Sequence, residues 1–173
     1  MTDSPPYPYD LGTEYPVMPI PPVPEHCIEV PAGAVTLVVE ARDLSDEPQP
    51  VGGFDDFGAS LHVVGPDGAE YVRFDCFDKE PHYHYIRPSE ETNIIVRLDD
   101  IAEGDPIEWT IGRLRNRLPE MLEHAGAASV AESVRGQLPP LMGALDTVRD
   151  LLQEAERRAV ARRASGSTLA PSA

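Results

Sequence analysis

The sequence predicts an α+β domain: a small antiparallel sheet, as a sandwich or partial barrel of about five strands, followed by a C-terminal helical hairpin. Three observations carry this prediction. Short runs rich in β-branched and aromatic residues recur between residues 27 and 104, separated by Gly, Pro and Asp clusters. From residue 105 the apolar residues instead recur at alternating steps of four and three. A proline-dense segment precedes both regions. With 173 residues, one hydrophobic core is expected.

Residues 1–26 hold eight of the nineteen prolines, including Pro19, Pro21, Pro22 and Pro24. Proline fixes φ and removes amide donors, so this segment is an extended, polyproline-like arm. It also carries Tyr7, Tyr9, Tyr15, Val17, Met18 and Ile20, more apolar surface than a solvated tail needs. The arm is therefore expected to wrap the domain, with partner docking as the alternative. Residues 27–104 form the β region. Its strands are expected at Ala34–Ala41, Phe57–Val64, Ala69–Phe77, His82–Ile86 and Asn93–Leu98. Residues 43–56 read as an acidic loop whose Asp55 and Asp56 are solvated. Gly65-Pro-Asp-Gly68 is a turn with a mechanism, since Pro presets φ at its second position and Gly accepts positive φ. Asp78–Pro81 is a second turn.

Residues 105–164 form the helical hairpin. Asp105-Pro-Ile-Glu108 is a helix start, with Asp as N-cap and Pro at the first helical position. Pro119 should split the first helix. Gly126 is a candidate terminator, and Ser129-Val-Ala-Glu132 reads as a second capping box. The longest helix runs from Pro139 to Arg163 with a stripe of Leu141, Leu145, Val148, Leu152, Ala155 and Ala159. Such narrow stripes can pack on the sheet, on each other or on a second copy. Residues 165–173 form a small-residue tail.

The formal charge is −16. Residues 1–104 hold 21 acidic and 5 basic side chains, a net of −16, while residues 105–173 hold 9 of each. Such a field repels phosphate backbones and anionic lipid heads, which argues against nucleic-acid and membrane partners. The polar, proline-rich N-terminus lacks a signal-like pattern, and two cysteines cannot build a disulfide framework, so a cytoplasmic setting is expected.

The segment Phe74–Tyr85 concentrates chemistry: it holds two of five histidines, one of two cysteines and the single lysine. Two four-residue turns would set Asp75 opposite His84 and His62 opposite Tyr71. Side chains alternate along a strand with period two. One face then collects Leu61, Val63, Val72, Phe74, Cys76, Tyr83 and Tyr85. The other collects His62, Tyr71, Arg73, Asp75, His82 and His84. Cys76 reads as a small buried hydrophobe and Trp109 as a core or sheet contact.

Three readings follow for the polar face. His82 and His84, on one side of a strand, can converge on a divalent metal such as zinc, iron or manganese, with His62 or Asp75 completing the ligand set. An Asp75–His84 pair could instead work as a general base, with Tyr71 and Arg73 facing substrate. The plainest reading is a hydrogen-bonded sheet face covered by a helix. The function expected from sequence is a small acidic interaction or accessory protein, non-catalytic and homo-oligomeric through its helices. The alternative is a metal-dependent or general-base enzyme built on the His-x-His strand.

Overall fold

A computed structural model describes residues 12–46 and 54–167. Seven strands form one antiparallel sheet: β1 (Thr13–Tyr15), β2 (Cys27–Ala32), β3 (Val35–Asp43), β4 (Phe57–Val64), β5 (Glu70–Phe77), β6 (His82–Arg87) and β7 (Thr92–Arg97). Their order is β1-β7-β6-β5-β4-β3-β2. Strands β2 to β7 thus run as a meander of consecutive neighbours, and β1 adds to its far edge.

The five expected strands are present, and the structure adds two. Strand β2 carries Pro31, which an edge strand tolerates because one side of its backbone needs no ladder partner. Strand β1 lies inside the proline-rich arm. The sheet is a single open layer with β1 and β2 as its edges, so the expectation of a sandwich or partial barrel is corrected.

The expected hairpin is in fact a run of helices: α1 (Asp100–Glu103), α2 (Pro106–Asn116), α3 (Leu118–His124), α4 (Ala128–Gly136) and α5 (Leu138–Ser167). The Asp105 carboxylate accepts from the Glu108 amide at 2.9 Å and starts α2, as its spacing implies. Pro119 sits in the first turn of α3, just after Arg117 breaks the helical path. Gly126 takes φ +83 after α3, and the next amide, that of Ala127, reaches back to the Leu122 carbonyl at 2.8 Å. The second capping box does not form: α4 begins at Ala128 after Ala127, which leaves Ser129 inside the helix.

All the packed helices cover one face of the sheet. Helix α5 crosses β2, β3 and β4, while α2 lies between α5 and β5. The α5 stripe Leu141, Leu145, Val148 and Leu152 is buried against Leu37, Val39, Leu61 and Val63 of the strands. That stripe is spent within the chain, with the sheet as its partner. Ala155 and Ala159 continue it as small buried residues. Among the described residues, no helix is long and apolar enough to cross a membrane.

The strand order sets a demand on the arm. β1 lies at one edge and β2 at the other, so residues 16–26 must cross the whole sheet. Six interstrand spacings amount to ~29 Å, and twelve extended steps from Tyr15 to Cys27 reach ~37 Å. A largely extended strap meets that distance, and its 3-10 turn at Pro24–His26 lies at the end beside β2. The strap crosses on the face opposite the helices. The Val17 carbonyl accepts from Asn93 of β7, the Ile20 carbonyl from Arg73 of β5, and the Val23 amide donates to Glu40 of β3.

Core truncation should separate buried from exposed positions. Leu145→Ala, in the fully buried stripe, is expected to cost about 2–5 kcal/mol in denaturant unfolding. Ile101→Ala, at a residue 95% exposed, should change stability by less than ~0.5 kcal/mol.

Candidate metal centre on the strap-covered face

The face of the sheet beneath the strap is polar and buried. Glu40, Arg42, Ser60, His62, Arg73, Asp75, His84 and Asn93 are all buried there. Buried charge persists only when it is paired and hydrogen-bonded. The side chains satisfy this in two adjoining groups.

The first group spans β3, β4 and β5. The His62 ring meets Glu70 through Nδ1 at 2.7 Å and Glu40 through Nε2 at 2.8 Å. Both ring nitrogens face carboxylates, which favours the doubly protonated imidazolium. Burial opposes that charge, and the bonds to Glu40 and Glu70 outweigh it and raise the His62 pKa. Burial likewise works against Glu70, yet the bonds from Arg73 and His62 bring its carboxyl down to about 2. Arg73 grips Glu70 in a fork, Nε at 2.7 Å and Nη2 at 2.8 Å.

The strap closes this group. Of Pro21, Pro22, Val23 and Pro24, only Val23 carries an amide hydrogen, and it goes to Glu40 at 2.8 Å. The carbonyls of the proline-rich run have few backbone donors nearby. Arg42 donates to the carbonyls of Ile20 and Pro21 at 3.0 and 3.1 Å, and Arg73 to that of Ile20 at 2.7 Å.

The second group spans β4 to β7 and centres on Asp75. His82 Nε2 lies 3.2 Å and His84 Nε2 2.9 Å from the same Asp75 oxygen, Oδ2. The other oxygen accepts from the Ser60 hydroxyl. Each imidazole is held by its second nitrogen: His82 Nδ1 donates to the Glu80 carbonyl at 2.7 Å, and His84 Nδ1 to Asn93 Oδ1 at 2.9 Å. Asn93 in turn donates through Nδ2 to the Val17 carbonyl of the strap at 2.7 Å, which sets which end of its amide faces His84.

The Glu80 carbonyl is also held in place. Asp56 accepts from the amides of Phe57 and Lys79 through Oδ1 and of Glu80 through Oδ2. Asp56 is therefore a buried turn cap, contrary to the expectation that it is solvated. Asp55 is exposed and pairs with Lys79 and Arg163.

Asp75, His82 and His84 offer one ligand atom each, all within 4.8 Å of one another. Separations of 2.9–3.2 Å match the edges of a coordination shell with ~2.0–2.2 Å bonds. Burial opposes the Asp75 charge, but the bonds from His82 and His84 hold its carboxyl well below the usual range. Burial also opposes protonation of His82, and its bond to Asp75 prevails and raises its pKa. The side chain of His82 is 18% exposed, against 4% for Asp75 and 6% for His84, so the cluster opens to solvent on the His82 side.

Several sequence expectations change here. Observed register pairs Asp75 with His82 and Arg73 with His84, two residues from the expected pairing. A shift of two preserves the faces, so His82 and His84 still join Asp75. His62 does not: its nitrogens are taken by Glu40 and Glu70, and it leaves the candidate ligand set. A bulge on β5 between the Val63–Val72 and Val64–Glu70 pairs skips Tyr71. It turns Glu70 toward His62 and packs Tyr71 against the apolar core edge, where its hydroxyl donates to Asp67 at 2.5 Å. Arg73 is bound to Glu70 and to the strap. The helices lie on the opposite face, so the strap and not a helix covers the polar cluster.

Sequence reasoning missed Glu40, Arg42, Ser60, Glu70 and Asn93. Period-two alternation in β3 and β4 would have found Glu40, Arg42 and Ser60. Cys76 is buried, with its thiol pushed up to about 12 by burial, and is chemically quiet.

Residues 29–152 match the family model described as "Domain of unknown function (DUF7700)", and the chain belongs to that family. The match contains both buried groups and leaves out the strap. No curated protein and no solved structure matches the chain.

His62→Ala would leave Glu40 and Glu70 facing each other without their shared donor, at an expected cost of about 3–5 kcal/mol in chemical denaturation. The pH dependence follows from the same group. The Glu70 pKa falls from an ordinary 4.5 to about 2 on folding. Its contribution is present above pH 4.5 and is lost as pH drops toward 2. The His62 pKa is raised, so its contribution is complete below 6.5 and fades as pH rises through its folded value. In Glu70→Gln the acid limb of the stability profile between pH 4.5 and 2 should flatten.

Proposed function

We propose that this member of the family binds a divalent transition metal through His82 Nε2, His84 Nε2 and one oxygen of Asp75. The observation that carries this reading is the convergence of both Nε2 atoms on Asp75 Oδ2, with both Nδ1 atoms anchored on fixed acceptors. An imidazole ligand needs its metal-facing nitrogen free of hydrogen and its other nitrogen donating to an oxygen. The Glu80 carbonyl and the Asn93 amide oxygen supply those acceptors.

Two imidazoles and one carboxylate suit zinc, iron or manganese and exclude a purely oxygen-liganded calcium site. Three protein ligands leave positions for water or substrate, the arrangement of catalytic rather than closed structural sites. This supports the metal-dependent enzyme over the non-catalytic accessory protein. The Arg73 charge is no obstacle, because Glu70 neutralises it. Bound metal would polarise a water or a substrate oxygen at the open positions. The chain's own part is to hold three ligands rigidly, through Ser60 on Asp75, Glu80 on His82 and Asn93 on His84.

Calorimetric titration of tag-free protein with zinc, iron(II) and manganese(II) tests the reading. Wild type should take up one equivalent. His84→Ala and the double variant His82→Ala/His84→Ala should lose the metal, and Asn93→Ala should weaken it by about 10–100-fold. The His82 pKa is raised by Asp75, so uptake should release protons and strengthen with pH above 6.5. No uptake of any of the three metals at neutral pH would refute the assignment.

Self-association has a separate test. With the α5 stripe buried on the sheet, a helix-mediated dimer would have to use Leu138, Met142 and Val160, the exposed large hydrophobics of α5. Sedimentation at micromolar concentration should then show Met142→Glu shifting a dimer to monomer; a monomeric wild type removes helix-mediated association.

A further inference from the structure

We infer that the helix-covered side of β6 carries a second, independent site: a pocket for a small carboxylate bearing a flat apolar ring. Side chains alternate along β6 with period two. His82 and His84 point toward the strap, so Tyr83 and Tyr85 point to the opposite face of the sheet. There α2 and α3 leave a cavity of about 260 Å³. Its walls are Tyr83, Tyr85, Trp109, Arg113, Arg117 and His124.

Two features separate this cavity from a packing gap. First, its walls are aromatic and mutually supported. Trp109 lies against Tyr83 at 5.1 Å between ring centres and meets Phe74 edge-on at 6.1 Å. The ring of His124 stands edge-on to Tyr85 at 4.5 Å. Second, polar atoms just behind its walls have nothing to bind. Arg113 Nε and His124 Nε2 are buried and have no hydrogen-bond partner among the described residues. A buried polar group without a partner costs free energy, so such groups are rare where no ligand or water completes them. Arg113 is also fixed in orientation, its guanidinium 5.2 Å from the centre of the Trp109 ring.

The sign of the ligand follows from the lining. Arg117 pairs with Glu120, the one acidic wall residue, at 3.6 Å, and Arg87, with its Nη2 on the His124 carbonyl at 3.4 Å, pairs with Glu14 at 3.6 Å. Arg113 is left as the net positive charge of the lining. The excess negative charge of the chain lies in residues 1–104, whereas these α2 and α3 arginines belong to the charge-balanced remainder. A carboxylate matches the planar donor fork of a guanidinium, and a flat ring matches the Trp109–Tyr83–Tyr85 walls. The volume is below that of drug-sized sites, so a single-ring compound is the appropriate scale.

Trp109 is the single tryptophan of the chain and a wall of the pocket, so its emission reports occupancy directly. The full chain is titrated with benzoate and, in parallel, with benzamidine, which keeps the ring and reverses the charge. Benzoate should change Trp109 emission saturably, and benzamidine should not. Arg113→Gln should weaken benzoate by about tenfold or more, the loss of one charge-assisted contact. Arg117→Gln, at an exposed position, should weaken it in the same direction without disturbing the fold, and it carries the test if Arg113→Gln unfolds. Benzoate affinity should be the same with and without added zinc, which keeps this site separate from the metal centre. No saturable change up to ~10 mM benzoate, equal binding of benzamidine, or parental affinity in Arg117→Gln would each overturn the proposal.

Discussion

Everything on the strap side of the sheet depends on one constraint: charge removed from water must sit beside its counter-charge. Glu40, His62, Glu70, Arg73 and Arg42 meet it as a chain of contacts across three strands, each group hydrogen-bonded on more than one side. Such a network tolerates only one strand register, because a slip of one residue would send every member to the opposite face. It tolerates only one cover as well. A helix brings few free carbonyls, since its own amides use them. A proline-rich strand brings carbonyls in excess of amides, and two buried arginines need acceptors. Composition of the arm and composition of the face are complementary for this reason.

The same strap links structure to the candidate metal centre. It orients Asn93, which holds the Nδ1 atom of His84 and so leaves Nε2 aimed at Asp75. The Asp56 cap acts on the other ligand, fixing the turn whose Glu80 carbonyl holds His82. The strap and the Asp56-capped turn thus hold the two imidazoles, while Asp75 is held within the sheet by Ser60 of β4. The family match spans the candidate ligands and ends short of the strap, so the strap's hold on Asn93 is a feature of this chain beyond the matched region.

Strand β6 divides its chemistry between its faces. Its histidines meet the Asp75 carboxylate on the strap side, and its tyrosines meet Trp109 and His124 on the helix side. The central strands bury their apolar face fully under α5, but β6 lies beyond that helix, where α2 and α3 cover it only in part. Tyr83 and Tyr85 are therefore half-buried, in contrast to Leu61 and Phe74 nearby. Partial cover at the sheet margin leaves space beside aromatic and cationic side chains.

The sequence by itself determined the α+β class, the five central strands, the start of α2, the break at Pro119 and the division of β4, β5 and β6 into an apolar and a polar face. These are local properties, carried by side-chain periodicity, proline geometry and capping. They survived a register error of two residues because alternation repeats every two. Tertiary structure alone decided the rest. The bulge at Tyr71 exchanged Tyr71 for Glu70 on the polar face, and a bulge has no periodic signature. His62 became a bridge between carboxylates because β3, distant in sequence, brought Glu40 beside it. The strap covers the polar face because the two edge strands lie at opposite sides of the sheet, and that order follows from pairing between residues far apart in the chain.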